Sequence, residues 1–218
     1  MALAANELHP NSISYSRAIA RQLGLQEKDI WRLLSGTRLT VNRFIFDDAP
    51  ISNPDQERIF RNALTLSENP AFGLRLGHSL TPPAHGTMGF LANCSPTLIT
   101  ALEDFSKYLP TRVGFGKLQI VLSDRDIECL MHVIYKDETL YRMISEAFTL
   151  SLIILMEYVL GAPLTNAQLY LSFPRPHYWE RYAEFIHCPI HFSAPANKLI
   201  LPAELKNFPN VASDFHTY

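Results

Sequence analysis

The chain has 218 residues, 47% of them hydrophobic and 18% charged, with a formal net charge of −2. That length accommodates one large domain or two small ones with ample core, and the absence of a basic excess excludes a chain that grips nucleic acid unaided. Cys94, Cys129 and Cys188 are too few and too scattered for a disulfide framework, and Met1 to Pro10 carries no signal-peptide pattern, so a reduced, cytoplasmic protein is expected.

The first part reads as helices. Ile13, Tyr15, Ile19 and Leu23 have helical spacing and end at Gly24; Ile30, Leu33 and Leu34 repeat the pattern up to Gly36. An extended piece is expected over Thr40 to Phe46. Pro54 suits a first helical turn, followed by the apolar face of Ile59, Phe60, Ala63 and Leu64. Asn69-Pro70 then restarts the chain into one further short helix.

Thr81-Pro82-Pro83 is a seam, because adjacent prolines interrupt regular structure. Beyond it, Gly86 and Gly89 allow close packing on a neighbour. Ser95-Pro96 reads as the cap and first turn of a helix over Thr97 to Leu109, closed by Pro110. Lys117 to Ser123 and Ile127 to Tyr135 read as a hairpin around Asp124-Arg125-Asp126.

From Asp137 to Leu160 runs a long, nearly uncharged helix with Asp137 as N-cap and a stop at Gly161 and Pro163. Its length would suit a membrane span, yet Arg142, Glu146 and Glu157 would be costly in lipid. A helix without a polar face must be covered on nearly all sides, so a central soluble helix is expected. Strands at Gln168 to Phe173, Ile190 to Phe192 and Lys198 to Leu201 follow, with a helix near Tyr178 to Phe185 between them and a last turn from Pro202. The class is α+β: an N-terminal helical part, then a small, mostly antiparallel sheet packed on the long helix.

Three stretches in order carry a resemblance. They are Asn69-Pro70-Ala71-Phe72-Gly73-Leu74-Arg75-Leu76-Gly77; His85-Gly86-Thr87-Met88-Gly89-Phe90 with Ser95-Pro96-Thr97-Leu98; and Phe173-Pro174-Arg175-Pro176 through Tyr178, Phe185, Cys188-Pro189 and Phe192, closing on Leu199-Ile200-Leu201-Pro202. Together, over roughly Tyr15 to Asn207, they resemble the N-terminal regulatory region of one branch of AraC/XylS-type transcription regulators. The resemblance implies an effector-sensing domain that forms homodimers and is followed by a DNA-binding domain with two helix-turn-helix units. With the seam at Pro82-Pro83, residues 1–80 are expected to form the helical part and 81–205 the sensing part, the two in one compact unit, and 206–218 reads as the start of a linker to a domain this chain lacks. The branch is often labelled arabinose-binding, but no sugar-site signature is present and the sugar is not carried over.

Arg142 and Glu146 lie one turn apart on the apolar helix. They read either as an internal ion pair or as a polar anchor whose arginine fork holds a ligand carboxylate. Tyr141, Ser145 and Thr149 offer hydroxyls beside them. His85 and His132 are lone histidines in apolar settings, read as core residues or as ligand contacts. His187, Cys188 and His191 have metal-donor chemistry, but strand alternation turns residue 188 away from the other two, so no metal site is expected. Gly73-x-x-x-Gly77 lacks the Lys-Ser/Thr of a phosphate loop, and no Gly-x-Ser-x-Gly occurs, so neither a catalyst nor a cofactor is expected. The expectation is a sensor for a small organic effector bound beside the Asp137–Leu160 helix, with a ligand-independent dimerisation platform as alternative and a small enzyme as the weakest reading.

Overall fold

Three helix starts in the first half sit where a side chain, Thr40, Ser52 or Thr97, serves a free backbone N–H group. The computed structural model describes residues 11–210 and Ser213. Within it α1 (Ile13–Gln22) and α2 (Ile30–Leu34) are followed by α3 (Val41–Phe46), where an extended segment was expected. Branched and aromatic residues there have strand propensity, but the Thr40 side chain accepts from the Arg43 N–H and tips the segment into a helix that buries Phe44. α4 (Asn53–Ser67) is capped by Ser52, with proline in its first turn, and α5 (Phe72–Ser79) follows the Asn69-Pro70 restart.

α6 (Thr87–Cys94) and α7 (Leu98–Tyr108) come next. The cap of α7 is Thr97, in a reciprocal box with Thr100, rather than Ser95. Ser95 is fully buried and donates its hydroxyl to the Leu91 carbonyl at 3.0 Å, closing α6 instead.

The sheet runs β1 (Gly116–Leu122), β2 (Asp126–Val133), β5 (Lys198–Pro202), β3 (Gln168–Tyr170), β4 (Ile190–His191) in spatial order. All neighbours are antiparallel except β3 and β4. β2 and β3 end earlier than expected, and Trp179–Glu184 is a 3-10 rather than an α-helix. The architecture is α+β, as the sequence predicts.

α8 (Glu138–Leu160) occupies the middle of the molecule. Asp137 accepts from the Thr139 and Leu140 N–H groups, and Gly161 ends the helix in the left-handed conformation at φ 67. The most apolar stretch of α8 is 83% buried within the protein, so its length and composition serve a core rather than a membrane.

α5 lies directly on α8. A Cβ at Gly73 would stand 2.5 Å from both the Met143 carbonyl oxygen and Glu146 Oε2; one at Gly77 would stand 2.7 Å from the Ala147 carbonyl oxygen. The Gly-x-x-x-Gly spacing therefore removes side chains along one stripe so that two backbones can meet.

The expected linker is docked at its start. Asn210 Nδ2 donates to the carbonyls of Asn93 at 2.6 Å and Ser95 at 2.9 Å, and Pro209 bridges to Thr97. The remainder of that segment beyond residue 210, Ser213 apart, lies outside the described residues.

Gly73→Ala and Gly77→Ala should each cost about 1–3 kcal/mol, because the added methyl meets backbone that cannot rotate away. Urea unfolding midpoints measure this. A loss under about 0.5 kcal/mol at both positions, the size of an ordinary surface change, would show slack between the helices.

Candidate functional site

The helical repeat assigns each side chain of α8 to a face, at 100° per residue. Met143, Ile144, Ala147, Phe148 and Ser151 fall together and form one wall of a cavity of about 60 Å³. Tyr15 and Ile19 of α1, Phe60 of α4, and Leu76 and Leu80 of and just after α5 face them. His85, Phe105, Leu109 and the approach to β1 through Val113, Phe115 and Gly116 close the rest.

The cavity has few polar groups, and their hydrogen bonds are determined. His85 Nε2 lies 3.2 Å from the Leu80 carbonyl oxygen, which can only accept, so Nε2 carries the proton. Nδ1 is then an acceptor, and the Tyr15 hydroxyl donates to it at 2.9 Å. Burial pushes His85 down to about 4 and Tyr15 up to about 12, leaving both neutral at pH 7. Ser151 donates to the Phe148 carbonyl of its own helix at 2.9 Å.

Of the six residues the sequence singles out, His85 alone lines this cavity. Arg142 and Glu146 precede the cavity-facing residues by one position each, which rotates them to the next face. The Arg142 guanidinium lies 5.9 Å from the centre of the Tyr178 ring and forms no carboxylate ion pair among the described residues, so neither the internal ion pair nor a cavity anchor is present there. His132 is exposed on β2, because strand alternation sends it opposite to the buried Met131.

The others are structural on this geometry. Asn197 donates to Tyr141 Oη at 2.9 Å and Ser145 Oγ at 3.0 Å, and accepts from the Ser172 N–H and hydroxyl. That network ties α8 to the chain leading into β5. Glu146 is 1% exposed, and its Oε1 accepts from Tyr178 at 2.7 Å and Tyr182 at 2.5 Å, while Oε2 is buried without a partner against Gly73. Of the metal-type trio, His191 stacks on Tyr170 at 4.7 Å and Cys188 is buried, and no group of metal donors occurs among the described residues.

A second, surface cleft of about 400 Å³ lies between α4 and the β2–α8 loop. It is larger, but its charges serve one another: Arg61 pairs with Glu57 at 2.9 Å and with the α8 cap Asp137 at 3.1 Å. The smaller cavity, lined mostly by apolar side chains of the core elements, is the better candidate site.

The family described as "Arabinose-binding domain of AraC transcription regulator, N-term" matches residues 29–210. The chain belongs to this family. The ornithine utilization regulator of Pseudomonas aeruginosa is 27% identical over 150 residues, which are 69% of this chain and 44% of that protein. The crystal structure of the transcriptional regulator CdpR from Pseudomonas aeruginosa superposes with a TM-score of 0.63 at 15% identity, over 88% of this chain and 61% of that one. That likeness shows the fold alone. The chain thus spans less than two thirds of each relative, and family and relatives are transcription regulators rather than enzymes. Sequence reasoning missed Tyr15, Phe148 and Ser151 as cavity residues; only Ser151, another hydroxyl on the apolar helix, offered a signal.

Glu146 has a pH signature. Burial, against the hydrogen bonds of Tyr182 and Tyr178 and the charge of Arg142, pushes its carboxyl up to about 7 from 4.5. The native state therefore holds a proton the unfolded chain releases, and stability falls as pH climbs from 4.5 to about 7. His85 acts oppositely, adding stability as pH climbs from about 4 to 6.5. The two slopes overlap and partly cancel. Glu146→Gln should remove one of them, so the variant gains on the parent with rising pH and exceeds it at pH 8 by up to about 3 kcal/mol. Denaturation at several pH values tests this; a parent–variant difference independent of pH would mean a carboxyl ionised throughout.

Proposed function

We propose that this regulatory domain holds a small organic effector in the apolar cavity and passes its presence to a DNA-binding domain. The observation that carries the reading is an unfilled space bounded by α1, α5, α7 and α8 inside an otherwise close-packed core. At about 60 Å³ it is smaller than the roughly 150 Å³ that accommodates benzene. An effector would then select a wider arrangement of the walls and shift the population toward it.

A continuous packing route supports the relay. His85 ends the turn Pro82–His85, on which α6 packs so closely that a Cβ at Gly89 would overlap the Pro82 carbonyl oxygen. The other end of α6 presents the Asn93 carbonyl, and just beyond it the Ser95 carbonyl, that hold Asn210. Movement of the cavity wall would reach the chain leaving the domain. The protein works in the cytoplasm, as a homodimer; the exposed Trp31 and Phe46 suit self-association.

The test is thermal unfolding of the parent and of Ser151→Val, which fills the cavity, against a metabolite library. A hundredfold excess over Kd adds about 2.7 kcal/mol to the parent, so an effector raises its Tm but not the variant's. No stabilising compound would leave a ligand-free dimerisation platform as the function, and equal shifts in both proteins would put the effector outside this cavity.

A further inference from the structure

We propose that the effector is an uncharged molecule with an apolar body and at most one hydrogen-bond donor, directed at the Tyr15 or Ser151 hydroxyl oxygen. The inference rests on the cavity being the effector site and adds the class of molecule it admits.

The wall groups have already committed their protons. Tyr15 donates to His85 Nδ1, His85 Nε2–H donates to the Leu80 carbonyl, and Ser151 donates to the Phe148 carbonyl. What remains is lone-pair density on hydroxyl oxygens, that of Ser151 first, since Arg112 already reaches the Tyr15 hydroxyl. A ligand hydroxyl or ring N–H finds an acceptor there. A carboxylate finds no free donor, and binding it would break a bond the wall already makes.

Charge is excluded by the same walls. None of the lining side chains is ionised at neutral pH, since His85 and Tyr15 are held neutral by burial. An ion placed there would lose its hydration without gaining a partner, a penalty of several kcal/mol. Arg112 stands behind Tyr15, its guanidinium carbon 5.6 Å from the ring centre and its side chain reaching the Tyr15 hydroxyl, and it donates to the Ser14 hydroxyl at 2.9 Å. It does not line the cavity. Its buried Nε lacks a partner among the described residues, so a carboxylate could seek it by displacing Tyr15. Glu146, which an ammonium would seek, faces Tyr178 and Tyr182. Such walls exclude ornithine, the compound in the name of the ornithine utilization regulator, because that diamino acid is charged at both ends.

Matched one-ring probes test the class: toluene, phenol, benzoate and benzylamine, with L-ornithine alongside, titrated into the domain by NMR or calorimetry. Two variants report the location. One is Ser151→Val; the other is Gly116→Ala, whose new Cβ would stand 3.5 Å from the Phe148 ring, an ordinary contact that leaves the fold intact. Phenol and toluene should bind the parent, phenol the tighter, and lose affinity in both variants. Benzoate, benzylamine and ornithine should bind at least tenfold more weakly than phenol, about 1.4 kcal/mol or more. Benzoate or ornithine binding as tightly as phenol, and weakened by the same two variants, would overturn the uncharged class while keeping the cavity as the site. Benzoate binding abolished by Arg112→Gln alone would overturn it in favour of an anion site behind Tyr15. No binding of any probe, with both variants folded, would overturn the inference together with the cavity reading beneath it.

Discussion

The close approach of α5 to α8 sets the geometry on which the rest of the molecule depends. Two glycines four residues apart bring α5 against the Met143 and Ala147 backbone and the Glu146 side chain. That contact fixes the rotation of α8, because a methyl on either glycine would have to push the helix away. Once the rotation is fixed, Met143, Ile144, Ala147 and Phe148 must face the cavity and Glu146 must face Tyr178 and Tyr182. The stripe that resembles a fragment of a phosphate loop is instead a packing device.

The polar residues of α8 have a consistent role on this view. A helix buried on all sides can slide or rotate among apolar neighbours with little energetic discrimination, whereas hydrogen bonds in a low-dielectric interior are directional and costly to leave unmade. Tyr141 and Ser145 engage Asn197 on one side, and Glu146 engages two tyrosines on another. These networks fasten α8 to segments far along the chain. The bare Oε2 of Glu146 suits a carboxyl that carries a proton, which a pKa raised to about 7 permits at neutral pH.

Much of this was legible in the sequence because the governing interactions are local. Asp137 as cap, Gly161 as stop, Pro54 in a first turn and the hairpin all depend on residues within a few positions. The failures have equally local causes where two signals compete: Thr40 outweighs the strand propensity of its followers, and Thr97 with Thr100 outcompetes Ser95. The site was hidden for another reason. Spacing shows that Arg142 and Glu146 share a face, but not what that face meets. Tyr178, Tyr182 and Asn197 lie 32 to 56 residues from their α8 partners, a choice that the folded chain alone determines.

The persistence of the cavity follows from the same fastening. An apolar void loses contacts and would ordinarily be removed by its neighbours moving inward. Here α8 is held on two other faces by hydrogen bonds, α5 is held against it by backbone contact, and Gly116 contributes no side chain to the gap. The walls nearest the N-terminus are tied as well: Tyr15 donates to His85, His85 donates to the Leu80 carbonyl, and α1 is fastened beyond the cavity by Ser16 to Gln56 and Arg17 to the Phe44 carbonyl. Both walls are thus braced by bonds made outside the gap, so neighbours cannot close it without breaking them. His85 also ends the turn on which α6 packs, and α6 carries that contact to Asn210.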